Sequence, residues 1–353
     1  IADIDLTGWR WAPIGFYNND ESTMKCFMGT FDGQEHSISN IYVNDEGSYQ
    51  GLFSYAKGAR FKNVNMVGGS VATIFQRKSV ELPGEMMAGV GGLIGQATDC
   101  YEISNCHSSV DVLGSHWVGS LCGYVWAESA DMCRITNCSA TGQVAGRKSV
   151  GGLMGDAYGS SVIIQNCFAT GDVLLTSDDN KDPSYRGGLM GHVFFATVNN
   201  CYATGKVEYA RESSYIGRVI GCPQEAHLHY LYGRDDINTE HELMGNRCAD
   251  ASNIVAFHHE ASQNTLATPV AIDGQEYSDL NDALNAWVTS QNDEGMKAWA
   301  LNDTGYPVQD AFFAPACANP TDLAVTNATT VGDATIRTSL SWNQQGEPKS
   351  WEV

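Results

Sequence analysis

The chain has 353 residues and a formal net charge of −21, with 41 Asp and Glu against 20 Lys and Arg. A surface this acidic repels phosphate backbones and polyanionic lipid, which sets nucleic-acid and anionic-membrane partners aside. Apolar residues make up 43% of the chain, enough for a substantial core, yet no apolar run approaches the ~20 residues that span a bilayer.

The chain opens on Ile1-Ala2-Asp3 with no initiator Met or signal peptide, which reads as a processed or trimmed product. Residues 1–50 are taken as an N-terminal cap and first coil. From there one segment recurs: Gly51-Leu52-Phe53, Val90-Gly91-Gly92-Leu93-Ile94-Gly95, Val118-Gly119-Ser120-Leu121-Cys122-Gly123, Val150-Gly151-Gly152-Leu153-Met154-Gly155 and Arg186-Gly187-Gly188-Leu189-Met190-Gly191. A decayed copy follows at Ile216-Gly217-Arg218-Val219-Ile220-Gly221. A second segment accompanies the middle copies, beginning Asn105-Cys106-His107, Asn137-Cys138-Ser139, Asn166-Cys167-Phe168 and Asn200-Cys201-Tyr202, with a divergent version at Asn63-Val64-Asn65. The spacing of roughly 28 to 42 residues suits stacked supersecondary units, with length variation confined to connections.

Within the second segment Cys, Ala (or Ser) and Val share one parity, while Asn, an aromatic or polar residue and Ser or Thr share the other. Period two is the pattern of a half-buried strand, and a helix would not keep it. Such a strand buries its apolar side only by stacking on its copies, about 4.8 Å apart. The expected fold is therefore all-β: a right-handed parallel β-helix (solenoid) over residues 51–221, with capping regions at both ends. Its interior would carry ladders of Cys106, Cys138, Cys167 and Cys201 and of Leu93, Leu121, Leu153 and Leu189. The glycines permit tight bends and close backbone approach.

The eleven cysteines are an odd number, so at least one is unpaired in any monomeric disulfide scheme. Core packing is the preferred reading of the cysteine ladder, since buried thiols pack as small hydrophobes. Parallel Cβ vectors suit a disulfide poorly, and a linear stack does not converge on a metal, although both remain alternatives. Cys222 and Cys248 are the better candidates for a bridge.

Residues 222–316 lose the repeat and are read as a C-terminal cap that hides open strand edges. Ser278 is placed as the N-cap of a helix with Leu280, Leu284, Trp287 and Val288 on one face. Residues 317–353 alternate throughout and resemble the opening strands of a fibronectin type III-like (immunoglobulin-like) module. Such a module needs roughly three times this length, so the segment is read as incomplete.

The repeats resemble GLUG motifs, named for their Gly-Leu-x-Gly core and found in large bacterial surface and secreted proteins. These include Bacteroidetes adhesin-like proteins and some designated immunoglobulin A proteases. Trp11-Ala12-Pro13-Ile14-Gly15 and Phe27-Met28-Gly29-Thr30-Phe31-Asp32-Gly33 are similar to the segment preceding such repeats, and Gly305-Tyr306-Pro307-Val308 to the usual domain end. The resemblance implies an extracellular or cell-surface location.

No complete catalytic constellation is found, so no catalytic residue is assigned. A zinc protease needs His-Glu-x-x-His, and both His241-Glu242-Leu243-Met244-Gly245 and His259-Glu260-Ala261-Ser262-Gln263 lack the second His. Glycan cleavage would need paired carboxylates, or a base with calcium or Arg. Asp178, Asp179 and Asp182 beside Arg186, and Arg234-Asp235-Asp236, are the best clusters, and the first three are weak calcium candidates. Otherwise no cofactor is expected. On the outward parity His107, Phe168 and Tyr202, flanked by Thr141, Thr170 and Thr204, are candidates to receive a sugar or a protein strand. The competing reading makes them sheet-stabilising cross-strand pairs, or places a long loop over them. The expected function is a non-catalytic surface or secreted segment that presents a binding face to a host protein or glycan. The alternatives are an accessory region of an immunoglobulin A protease-like protein and a polysaccharide-active enzyme.

Overall fold

The computed structural model describes residues 2–16, 24–45, 47–73, 88–128, 132–175, 184–209, 215–245, 250–261 and 263–309, with the backbone alone of 323–331, 335–343 and 348–352. The chain is nearly all β, and its repeats pair in parallel. The Gly-Leu-x-Gly segments build two sheets. One joins Gly89–Gly91, Trp117–Gly119, Ser149–Gly151, Tyr185–Gly187 and Tyr215–Gly217, and the other runs from Phe53–Lys57 to Ile220–Gln224. The Asn-Cys segments enter a third, 17-stranded sheet.

Register is kept along the second of these sheets without a slip. Ile14 pairs with Phe53, and the row continues through Ile94, Cys122, Met154, Met190 and Ile220 to Met244. A slip of one residue would turn every apolar side chain outward, so one buried face fixes the pairing. The interior consists of such rows: Leu93, Leu121, Leu153 and Leu189 are fully buried, as are Cys106, Cys138, Cys167 and Cys201. The glycine after each leucine is held by contact, because a Cβ at Gly155 would collide with the Val118 amide nitrogen.

The row reveals two copies that residue identity hides. Trp11-Ala12-Pro13-Ile14-Gly15 stands before Gly51-Leu52-Phe53, with Ile14 N donating to Leu52 O at 2.9 Å. Glu242-Leu243-Met244-Gly245 follows Gly217-Arg218-Val219-Ile220, with Val219 N donating to Leu243 O at 2.8 Å. The second stretch, tested in the sequence as a failed zinc motif, is a further Gly-Leu-x-Gly copy without its first glycine.

The region after Gly221 therefore does not simply close an end. His227–Arg234 and Asp250–Glu260 prolong the large sheet in parallel, Cys201 lying over Leu231 and Leu231 over Ile254. The chain then reverses through antiparallel Gln263–Ile272 and Gln275–Asp279 into helix α1, Leu280–Gln291. Asp279, not Ser278, is its N-cap and accepts from Asn281 N at 2.8 Å. Ser278 is still a strand residue, and the Asp279 carboxylate stands one position nearer the free amides. The buried face of α1 is Leu280, Ala283, Leu284 and Trp287, while Val288 is only half-buried. Leu323–Val331, Thr335–Asn343 and Pro348–Glu352 form a separate three-stranded antiparallel sheet. Among the described residues no helix is long and apolar enough to cross a membrane.

Candidate binding faces

The outward row proposed from the sequence is in register: His107 pairs with Ser139, Ser139 with Phe168, Phe168 with Tyr202 and Tyr202 with Tyr232. It is not exposed. His107, Phe168 and Tyr202 are 5, 1 and 0% accessible, and residues of α1 and of 299–309 pack with Phe168 and Tyr202 in one buried cluster. Phe168 stacks on Tyr202 at 5.2 Å, Trp299 packs 5.7 Å from each ring, and the Tyr202 hydroxyl donates to Pro307 O. These rings form a second apolar cluster and cannot receive a sugar or a strand. Thr141, Thr170 and Thr204 are half-buried beside them, their amides spent on Ser108, Ala140 and Ala169 carbonyls. This is the arrangement of the competing reading, cross-strand pairs beneath a covering segment, although no local pattern told which segment covers them.

An asparagine row anchors this cover. Asn63, Asn105, Asn137, Asn166 and Asn200 all have φ between 49° and 57°, the left-handed conformation that Asn tolerates and most side chains resist. Each bends the chain into the following Cys. Their amides form a continuous line, Asn105 donating to Asn63, Asn137 to Asn105, Asn166 to Asn137 and Asn200 to Asn166 at 2.8 to 3.0 Å. At the next position Tyr230 has the same φ of 56° but no amide, and Asn200 Oδ1 is left buried without a donor. Asn137 and Asn166 also donate to Gly295 O and Lys297 O, and Asn200 to Leu284 O. The invariant Asn before Cys was visible in the sequence; its bend and its docking role were not read from it.

The other candidates disperse. Asp178, Asp179 and Asp182 lie outside the described residues. Arg186 is buried and donates to Leu174 O and Gly146 O, and burial lowers its pKa to about 10. It is a backbone clamp rather than a neutraliser of bound uronate. Arg234 is spent on Asp236, and Asp235 meets His258 at 3.0 Å. The ladder cysteines Cys106, Cys138, Cys167 and Cys201 are free thiols, and Cys248, the partner expected for Cys222, lies outside the described residues. Each ladder thiol donates to the carbonyl two residues before it, as Cys167 does to Gln165 O at 3.1 Å, and burial pushes the Cys106 and Cys167 thiols well up. Among the described residues no three His, Cys, Asp or Glu converge as a metal site.

Two further surfaces stand out among the described residues. The outer side of the two Gly-Leu-x-Gly sheets carries a strip of half-buried rings. Trp117 stacks on Tyr124 at 4.3 Å, Tyr185 on His192 at 5.0 Å, and Tyr158 meets Phe194 at 5.1 Å. Within the strip, Tyr124, Asp156 and His192 succeed one another in register. Asp156 Oδ2 holds His192 Nδ1 at 3.0 Å. Burial alone would lower the His192 pKa, but the Asp156 charge and hydrogen bond outweigh it and raise it. The second surface is a groove of about 540 Å³ between the large sheet and the turn after α1, lined by Arg60, Tyr101, Glu102, Arg134 and Asp293 among others.

No curated protein and no solved structure matches the chain. The family model of the GLUG motif matches residues 114–145, a stretch that supplies Trp117–Gly119 and Cys122–Trp126 to the two Gly-Leu-x-Gly sheets and Cys133–Thr136 and Ser139–Ala140 to the large one. Over that segment the chain carries a GLUG motif.

Proposed function

We propose that the chain is a right-handed parallel β-helix in which each Gly-Leu-x-Gly copy adds one turn, a non-catalytic segment of a secreted or cell-surface protein that presents a binding face to a glycan or host protein. Each middle repeat gives one strand to each Gly-Leu-x-Gly sheet and one to three to the large sheet, which supports the architecture, and parallel crossovers are right-handed almost without exception. The observation that carries the binding role is the aromatic strip around Trp117, Tyr124, Tyr185 and His192. It keeps partial exposure on a stiff sheet, while the equivalent rings on the large sheet are covered. Apolar rings with polar tips at an open surface suit sugar faces and protein side chains alike.

Immobilised glycans and extracellular matrix proteins, probed with the full chain, test this. Binding that falls for Trp117→Ala and Tyr185→Ala with little change in Tm supports the proposal. Absence of binding in the wild type, or equal binding by both variants, overturns it. The Asp156–His192 pair favours a second reading, a polysaccharide-active site. Shortened oligosaccharide products that disappear in His192→Gln would establish it.

A further inference from the structure

The geometry points to the groove beside the C-terminal cover as a binding site for a carboxylated saccharide, with Arg60 and Arg134 holding the carboxylate and Tyr101 receiving the sugar ring. The site is separate from the aromatic strip. Arg60, Glu102 and Arg134 are direct register neighbours on three successive strands of the large sheet. An Arg-Glu-Arg row would ordinarily close into ion pairs, yet among the described residues neither guanidinium lies within ion-pair distance of a carboxylate. Arg60 lies instead over the Tyr101 ring at 4.5 Å, and Arg134 reaches the Met132 sulfur at 4.0 Å. Glu102 is occupied by the Ser104 hydroxyl at 2.6 Å, and Asp293 by the Gly295 amide at 2.9 Å. Two arginines with no carboxylate partner among the described residues, on backbones two strand spacings apart (about 10 Å), thus line one groove on a chain of net charge −21.

The planar fork is the side chain matched to a carboxylate, bidentate and permanently charged. The volume falls within the range of small-ligand sites. Tyr101 is 38% exposed, with one face under Arg60 and the rest of the ring available to the apolar face of a pyranose. An acidic peptide fits less well. Peptides bind sheets by adding a strand at an edge, and the strands here are paired on both sides, Arg60 with Thr30 and Glu102, and Glu102 with Arg60 and Arg134. What the groove offers is side chains alone.

Calorimetric titration of the full chain with a uronate oligomer, a sialylated trisaccharide, the methyl-esterified uronate oligomer and a Glu-rich peptide tests the site. Binding of at least one carboxylated sugar, with none for the ester, is expected. Arg60→Gln and Arg134→Gln should each weaken it by about tenfold or more, and Tyr101→Ala should weaken it while Tm holds. The uronate and sialate arms distinguish the two sources of carboxylate. Failure of both carboxylated sugars, undiminished binding by the Arg variants, or binding of the peptide alone overturns the proposal. Variants of the aromatic strip should leave this binding unchanged, so the two sites are scored independently.

Discussion

The indole Nε1 of Trp299 donates to Oδ1 of Asn166 at 2.6 Å, across 133 residues of sequence. This bond ties the C-terminal cover to the asparagine row, and the same indole packs against Phe168 and Tyr202. Trp299→Ala should cost about 3–5 kcal/mol, the usual range for a buried aromatic truncated in a core. Trp299→Phe keeps most of the packing and loses the bond, about 1 kcal/mol. Urea unfolding followed by tryptophan fluorescence measures both. Tyr202→Ala should also destabilise, since its ring is fully buried. A Tm unchanged in Tyr202→Ala would show that the cover does not rest on this row.

Asn166 combines two demands that one substitution series can separate. Its φ of 57° penalises any side chain but Asn or Gly, by roughly 1–2 kcal/mol. Its amide also donates to Asn137 Oδ1 and Lys297 O, and those bonds are buried. Asn166→Gly should lose the bonds and keep the bend, whereas Asn166→Ala should lose both and unfold at lower urea. Asn166→Asp should be the least stable, because its carboxylate would face two acceptors. Equal midpoints for Gly and Ala would show that the bend carries no strain.

What was legible in the sequence is what repeats locally. Parity in the Asn-Cys segments and the recurring Gly-Leu-x-Gly gave parallel pairing, the apolar rows and the glycine contacts. What was not legible depends on sequence separation or on decayed identity. No pattern near Phe168 announces Trp299. Leu243-Met244-Gly245 has lost the first glycine of its copy, and Tyr230 stands where five other copies carry Asn. The choice between an open and a covered aromatic row was left to two readings for the same reason: alternation tells which residues leave the sheet, not whether another element waits to cover them. The groove arginines, exposed and far apart in sequence, gave no motif at all.

The cysteine rows make a chemical prediction. Cys106, Cys138, Cys167 and Cys201 are fully buried, and burial pushes the Cys100 thiol up to about 12. Thiolate is the reactive form, so Cys100, Cys106 and Cys167, whose thiols burial pushes up, are protected by access and by protonation, and Cys138 and Cys201 are protected by their burial. A neutral aromatic disulfide reagent should label few thiols in the native chain at pH 8 and all eleven after denaturation without reductant. A denatured count short by two would reveal a disulfide, and a Tm lowered by a thiol-specific chelator would reveal a metal.

His107 supplies a pH dependence of defined sign. Burial, with the Lys297 charge adding to it, lowers its pKa from 6.5 to about 3. The folded chain therefore keeps this imidazole neutral at pH 5, while the unfolded chain protonates it. The contribution of His107 to stability is complete above pH 6.5 and falls by about 1.4 kcal/mol per pH unit as pH drops toward 3. His192 acts in the opposite direction. Its pKa is raised, so its contribution is present at low pH and fades as pH rises through the folded value. Between pH 7 and 5, His107→Gln should lose about 2 kcal/mol less than the wild type, and His192→Gln should lose more. Urea midpoints at the two pH values decide it, and wild-type and His107→Gln curves that shift in parallel would mean that His107 is protonated in the fold.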